Sequence, residues 1–319
     1  MDEKVIIGKG TQYPLDGILS LPEKNSKKVA AVVLVHGSGP SDKDETIMAN
    51  KPFRDISEYL VARGIAVLRY DKRTFVYGKQ ILKQIDYNKL TVEQETIEDA
   101  IFASEILKND TRIDANKVYI LGHSMGGMLA PRIDAEGGNF AGIIILAGSP
   151  RNLTDIMLGQ SEDLIGQLGK LLRMIAVKQT AGVKKKFDAI AGMTDKQAQS
   201  TKTLGRIYAW YFKEMNEHPA SCYLLDSKKP MLILQGEKDF QVSVEKDFNL
   251  YKQILKEKSD VTFKLYPGLN HIFMKSVYST VKEFKKEYKI PSKMASDVLS
   301  DIAQWILYGD IKGRDANNS

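Results

Sequence analysis

The stretch Lys117-Val118-Tyr119-Ile120-Leu121-Gly122-His123-Ser124-Met125-Gly126 joins an apolar run to a serine with a glycine two residues away on either side. The apolar run predicts a buried strand, and the residues from Met125 to Glu136 predict a helix. Glycine permits the close backbone contacts of a strained turn because it has no side chain. The stretch therefore predicts a tight strand-to-helix turn that presents the Ser124 hydroxyl as a nucleophile at the edge of a sheet.

The composition of the chain is typical of a globular protein. The sequence has 319 residues, of which 43% are hydrophobic and 27% charged, which is enough for one large domain or two small ones. No apolar run approaches the roughly 18 residues of a membrane helix, and the first residues lack the features of a signal peptide. The single cysteine, Cys222, excludes an intrachain disulfide and fits a reducing compartment. We therefore expect a cytoplasmic protein without a membrane contact.

The net charge of +6 raises the question of a nucleic-acid partner. The lysines are spread among nearly as many acidic residues, and the densest run, Lys184–Lys186, has no interleaved aromatic residues that could stack on bases. We therefore expect a small-molecule substrate and no nucleic acid. Composition does not decide the oligomeric state, so a homo-oligomer stays open.

Strand and helix patterns alternate along the first half of the chain. Two short segments, Val5–Ile7 and Gly17–Leu21, predict an antiparallel start. Further strands are predicted at Val29–Val35, Ile65–Tyr70, Val118–Leu121 and Ile143–Leu146, and helices at Pro52–Arg63 and Thr91–Leu107. This order predicts an α/β fold with a mostly parallel, doubly wound sheet and helices on both faces.

The pattern changes after Pro150, where helical segments follow without a convincing strand. Alternation resumes with strands at Met231–Leu234 and Val261–Tyr266, with a helix at Val244–Leu255 between them and a last helix at Lys293–Leu307. We predict that residues 1–149 and 221–319 form the core and that residues 150–220 form an inserted helical cap. Such an insertion would lie over the strand ends, where doubly wound sheets bind ligands.

A serine nucleophile needs a base, and only four histidines compete for that role. His271 follows the last predicted strand, in a loop from which it can reach Ser124. His36 lies after the third strand and is expected to brace its loop, His123 should point away from the hydroxyl, and His218 lies in the predicted cap. We therefore predict that His271 is the general base.

The imidazole in turn needs a carboxylate that fixes its tautomer. Asp239, in the loop after the Met231 strand, gives the order serine, aspartate, histidine that is typical of this type of triad. Glu237 is the alternative acid, and Asp226 and Asp247 are less well placed. The predicted catalytic residues are therefore Ser124, Asp239 and His271.

An oxyanion formed at Ser124 needs two N–H donors. The backbone N–H of Met125 is the first, because Met125 follows the nucleophile at the start of a helix. The second is expected from the loop His36–Pro40, where Ser38 is favoured and Gly37 is the alternative.

Charged clusters elsewhere have simpler explanations than catalysis. Arg69, Asp71 and Arg73 could contact substrate, but an ion-pair network is favoured. The acidic group at Asp42–Glu45 has no histidine at ligand spacing, so we expect no metal and no other cofactor.

The chain resembles the serine α/β-hydrolases, and within them the bacterial esterase-type group. The motifs that carry the resemblance extend over nearly the whole chain and are His36–Asp42, Arg69–Arg73, Gly122–Gly127, Gln235–Asp239 and Leu269–His271. Pro131 departs from a regular helix and is expected to kink or shorten it. Thr74 stands where a glycine often follows Asp-Lys-Arg, so the loop after Arg73 is expected to be unusual.

The resemblance implies hydrolysis of carboxylic esters through an acyl-enzyme. The apolar and aromatic insertion favours a small or medium acyl or aryl group, with Gly37, Tyr208, Trp210 and Tyr211 as candidate substrate contacts. A peptidase or acylaminopeptidase on the same triad is the nearest alternative, followed by a thioesterase or acyltransferase. A non-catalytic binding protein is the alternative from a different class.

Overall fold

The computed structural model of the protein describes residues 1–23, 27–84, 86–278 and 283–311. Parts of the predicted core range, at 24–26, 85, 279–282 and 312–319, lie outside these residues. The strands in the described ranges are β1 (Asp2–Ile7), β2 (Leu15–Ser20), β3 (Val29–Val35), β4 (Ala66–Tyr70), β5 (Ile113–His123), β6 (Ile143–Leu146), β7 (Lys202–Leu204), β8 (Ile207–Tyr208), β9 (Met231–Gly236) and β10 (Val261–Tyr266).

Helices connect and cover these strands. They are α1 (Pro52–Val61), α2 (Arg73–Ile81), α3 (Glu98–Asn109), α4 (Met125–Ile133), α5 (Leu153–Gly166), α6 (Lys170–Ile190), α7 (Asp195–Ser200), α8 (Ala209–Glu217), α9 (Ala220–Asp226), α10 (Asn249–Ile254), α11 (Phe284–Glu287) and α12 (Ser296–Tyr308). Wider π-helical turns at Glu93–Ile97, Asp134–Gly138 and Val244–Phe248 adjoin α3, α4 and α10. None of the helices in the described ranges is long and apolar enough to cross a membrane.

Eight strands form one sheet in the order β1-β2-β4-β3-β5-β6-β9-β10. The pairs β1–β2 and β2–β4 are antiparallel, and the remaining pairs are parallel. Alternate residues of β3 enter different cores: Val33 packs with residues of α3 and α4, whereas Val32 packs with residues of α1 and α12. The predicted antiparallel start and the doubly wound, mostly parallel sheet are therefore confirmed.

Several predicted elements differ in extent. The strands Val29–Val35, Ile143–Leu146 and Val261–Tyr266 have the predicted bounds. The first two are continuous apolar runs, as is typical of buried strands, whereas the third is an edge strand that also carries Thr262 and Lys264. The helix predicted from Met125 to Glu136 is α-helical only to Ile133, two residues after Pro131, and continues as a π-helical turn. This is the shortening that a proline without an N–H was expected to cause.

Two predictions about the connections were wrong. The segment after Arg73 is the helix α2, which begins at Arg73 itself and includes Thr74. The region after Pro150 also contains strands, since β7 and β8 form an antiparallel hairpin. The segment from α5 to α8, residues 153–217, is called the insertion below. It has its own apolar cluster, built on Phe187, Ile190, Ala198, Ala209 and Phe212.

Candidate active site

The turn between β5 and α4 places Ser124 in a strained backbone conformation. Ser124 has φ 53° and ψ −117°, which is rare for a residue with a side chain. A Cβ atom on Gly122 would lie 2.1 Å from the Gly126 carbonyl oxygen, and one on Gly126 would lie 2.2 Å from the carbonyl oxygen of Val35. The two glycines are therefore required by backbone contacts, as the sequence predicted.

Asp239 and His271 form a buried hydrogen bond. The distance from His271 Nδ1 to Asp239 Oδ2 is 2.7 Å, and both residues are almost fully buried. The other contacts of the carboxylate come from donors: the backbone N–H groups of Gln241 and Val242 on Oδ1, and the Gln235 amide on Oδ2. These donors hold the carboxylate in position beside His271. Since Nδ1 donates to Asp239, Nε2 of a neutral His271 is free to accept a proton.

The competing acids and histidines make other contacts. Glu237 accepts from the Gly268 N–H at 2.9 Å, and its side chain is 43% exposed. Asp247 accepts from the Ser149 hydroxyl and the Arg151 guanidinium. The ring of His218 bonds to the hydroxyl of Tyr223. Among the acids considered from the sequence, Asp239 is the one bonded to His271.

His36 braces the loop after β3. Its Nε2 lies 3.0 Å from the Asp42 carbonyl oxygen, and its ring packs against Phe53 and Tyr70. Burial lowers the pKa of His36 to about 4, so the ring is neutral near pH 7. A neutral ring bonded to a carbonyl donates through Nε2, which fits a structural role.

His123 makes an ion pair that the sequence did not reveal. Its Nδ1 lies 3.0 Å from Glu45 Oε1, and its Nε2 lies 3.0 Å from the carbonyl oxygen of His271. Both partners are acceptors, so both ring nitrogens must carry protons. Burial alone would lower the pKa of His123, but the neighbouring Glu45 carboxylate outweighs it and raises the pKa. A charged His123 therefore holds the backbone of the His271 loop beside the strand-to-helix turn Gly122–Gly126, which is called the elbow below.

The loop after β3 distinguishes the two candidate oxyanion donors. The Gly37 N–H donates to Glu45 Oε1 at 3.0 Å, so it is occupied. Ser38 lines the same cavity as Ser124 and Met125. Met125 is the first residue of α4, and the first N–H groups of a helix have no acceptor within it. The arrangement therefore favours the N–H groups of Met125 and Ser38 over that of Gly37.

A cavity of about 480 Å³ opens at Ser124. Its wall is largely apolar, and the insertion contributes Tyr208 and Tyr211. In the described ranges, Gly37 and Trp210 do not line this cavity; Trp210 packs against the insertion's apolar cluster. The helix α2 contributes Thr74, Gly78 and Ile81, so the element missed from the sequence forms part of the wall.

The remaining charged residues near the strand ends are paired. Arg73 binds Asp99 and Glu98, and Asp71 binds Lys43 at 2.9 Å. Arg69 pairs with Asp44, as the favoured ion-pair interpretation predicted. Within the described part of the chain, no group of three or more His, Cys, Asp and Glu side chains is arranged to hold a metal ion.

Comparison with known proteins identifies the family to which this sequence is similar. The family model described as serine aminopeptidase, S33, matches residues 26–276. Esterase EstD from Thermotoga maritima is 36% identical over 294 residues, which are 92% of this chain but only 65% of EstD.

Solved structures share the fold. Est1E from Butyrivibrio proteoclasticus superposes with a TM-score of 0.54 at 16% identity, covering 90% of this chain and 96% of that chain. An acylaminoacyl peptidase from Pyrococcus horikoshii superposes with a TM-score of 0.58 at 13% identity, covering 98% of this chain and 42% of that chain. The predicted α/β-hydrolase fold is confirmed, and because the family model covers most of the sequence, the chain belongs to the serine aminopeptidase S33 family of α/β-hydrolases.

Proposed function

We propose that this protein hydrolyses carboxylic esters through an acyl-enzyme on Ser124. The observation that carries the proposal is the Asp239–His271 hydrogen bond of 2.7 Å, in a loop that His123 ties to the elbow. The similarity to esterase EstD supports the same class of reaction.

The first half of the reaction forms the acyl-enzyme. His271 Nε2 takes the proton of the Ser124 hydroxyl as the oxygen attacks the ester carbonyl carbon. The carbonyl oxygen becomes an oxyanion, which accepts hydrogen bonds from the N–H groups of Met125 and Ser38. Asp239 stabilises the imidazolium. The bond to the alkoxy group then breaks, and His271 gives its proton to the leaving alcohol.

The second half repeats the same steps with water. His271 takes a proton from water, whose oxygen attacks the acyl carbon. The same two N–H groups bind the second oxyanion, and Ser124 leaves as the carboxylic acid is released, with its proton returned by His271.

The cavity wall supports an uncharged substrate. Of its lining residues in the described ranges, Glu95 is the one with a carboxylate, and Glu95 is already paired with Lys72 at 2.9 Å. The wall otherwise presents aliphatic and aromatic side chains, including those of Ile81, Met128 and Tyr208. A cavity of about 480 Å³ accommodates a small or medium acyl or aryl group.

An aminopeptidase is the second candidate, because the family model carries that description. An aminopeptidase needs an anionic group for the substrate's free amine. The paired state of Glu95 disfavours this activity, since its oxygens are engaged by Lys72 and by the Tyr211 hydroxyl.

A substrate panel tests the proposal. p-Nitrophenyl esters of increasing acyl length and a series of aminoacyl p-nitroanilides are supplied to the wild type and to Ser124→Ala. We expect ester turnover by the wild type, none above background by Ser124→Ala, and little amide turnover. Ser259→Ala, at an exposed serine before β10, is the matched control and should retain full activity. Amide turnover without ester turnover would overturn the substrate class, and equal activity of wild type and Ser124→Ala would overturn the nucleophile.

A further inference from the structure

The ammonium group of Lys72 is buried beside the loop His36–Pro40, which is called the oxyanion loop below. Lys72 follows β4, its side chain is 2% exposed, and its backbone N–H donates to the Ser41 carbonyl oxygen. Its Nζ lies 2.9 Å from the Gly37 carbonyl oxygen and 2.9 Å from Glu95 Oε1. A buried ammonium is costly unless it is paired and hydrogen-bonded, and here both conditions hold.

The contact with Gly37 fixes the direction of the Ser38 N–H. The Gly37 carbonyl and the Ser38 N–H belong to one planar trans peptide unit, in which they point in opposite directions. Because Lys72 attracts the carbonyl to one side, the N–H is directed to the other. A positive charge at the carbonyl oxygen also polarises the peptide and strengthens its N–H as a donor.

A second buried ion pair holds the other side of Gly37. The Gly37 N–H donates to Glu45, which is paired with His123. The next glycine in the loop, Gly39, has φ +82° and has no side chain that could restrict the backbone. The orientation of the peptide after Gly37 therefore depends on Lys72 on one side and on Glu45 on the other.

The same contacts reach the insertion. Glu95 Oε2 accepts from the Tyr211 hydroxyl at 2.7 Å, and Tyr211 lies in α8 on the cavity wall. Burial, together with the nearby Glu95 carboxylate, raises the pKa of Tyr211 well above its usual range, so the hydroxyl stays protonated and donates. A continuous set of contacts thus runs from the wall of the cavity through Glu95 and Lys72 to the oxyanion loop.

We propose that Lys72 is a positioning residue that holds the Gly37–Ser38 peptide with its N–H directed at the oxyanion. The inference rests on the proposed function, because it assigns a role in the stabilisation of the tetrahedral intermediate. Lys72 itself does not touch the substrate. Its removal should therefore weaken binding of the transition state and leave binding of the ester nearly unchanged.

The test variant is Lys72→Met/Glu95→Gln, which removes the ammonium without leaving a buried carboxylate unpaired and keeps an acceptor for Tyr211. Loss of a direct oxyanion donor costs about 100- to 1000-fold in kcat, so loss of its orientation should cost about 10- to 100-fold, with KM within about threefold of wild type. The inhibition constant of an aryl trifluoromethyl ketone, whose adduct with Ser124 carries an oxyanion, should rise by the same factor.

The matched control is Lys264→Met/Asp301→Asn. This variant removes another ion pair, with a distance of 2.6 Å, between β10 and α12. We expect its kcat and inhibition constant to stay within about twofold of wild type, because neither Lys264 nor Asp301 is among the described residues that line the cavity at Ser124. If the Lys72 double variant does not fold, as judged by circular dichroism, Lys72→Gln is measured in the same way and should show the same selective loss of kcat.

The outcomes separate the two proposals. If the wild type is active and the folded Lys72 variant has a kcat within twofold of the wild-type value, the proposed role of Lys72 is overturned and the proposed function stands. A rise in KM at unchanged kcat would overturn it as well, because that pattern reports substrate binding. A wild type without ester turnover would overturn the proposed function and, with it, the role of Lys72.

Discussion

Replacement of Ser124 by glycine should make the protein more stable while it abolishes the proposed nucleophile. Ser124 has φ 53° and ψ −117°, and a residue with a Cβ in such a conformation costs about 1–3 kcal/mol. Glycine relieves this strain but increases the entropy of the unfolded chain, which costs about 0.4–1 kcal/mol. The net gain in the free energy of unfolding is about 0.5–2 kcal/mol. Ser124 lines the open cavity, so the loss of its hydroxymethyl group creates no new void.

Ser124→Ala is the matched comparison, because alanine removes the hydroxyl but keeps the strained Cβ. For a chain of 319 residues, 1 kcal/mol corresponds to about 1.5 °C in Tm. We therefore expect Ser124→Gly to melt about 1–3 °C above Ser124→Ala, and urea denaturation to give the same order. Equal stability of the two variants, or a less stable glycine variant, would refute the reasoning that the turn stores backbone strain.

Three further predictions concern the elbow, the pH dependence of stability and the acid of the triad. Gly126→Ala places a Cβ 2.2 Å from the Val35 carbonyl oxygen of β3 and should lower the free energy of unfolding by more than about 3 kcal/mol. The control, Gly182→Ala, lies in an open position of α6 and should raise the free energy of unfolding by about 0.5–1 kcal/mol, with urea denaturation as the measurement for both variants. Burial, with the neighbouring Glu136 carboxylate, raises the pKa of Glu93 from 4.5 to about 7. The folded protein therefore binds this proton more tightly than the unfolded chain, and the free energy of unfolding should fall as the pH rises from about 4.5 to 7. Denaturation curves measured across this pH range should show a smaller fall for Glu93→Gln. Asp239→Asn should lower the kcat for p-nitrophenyl esters by about 10⁴-fold, with Glu237→Gln within twofold of wild type, and the reverse order would assign the acid to Glu237.

The elements that the sequence predicts well are those specified by local patterns. The strand β6 and the turn at Ser124 follow from a continuous apolar run and from glycines that no other residue could replace. The order of Asp239 and His271 along the chain was enough to place both in loops after neighbouring parallel strands. Their hydrogen bond then follows from the geometry of the sheet.

The parts that the sequence does not predict depend on contacts between distant segments. Lys72 meets Gly37 and Glu95, and His123 meets Glu45, only after the sheet has formed. The helix α2 carries several β-branched and aromatic residues, which have low helix propensity. Thr74, which stands where the resemblance leads us to expect a glycine, does not indicate that a helix begins at Arg73. Buried charges of this kind have no periodic signal in the sequence, because their partners lie far away along the chain.

Covalent labelling of Ser124 tests the central claim most directly. The wild type and Ser124→Ala are incubated with an alkyl fluorophosphonate, and the intact masses are measured, followed by peptide mapping. The account predicts one adduct per wild-type chain, located on the peptide that contains Ser124, and no adduct on Ser124→Ala. An adduct on a different residue, or equal labelling of both proteins, would contradict it.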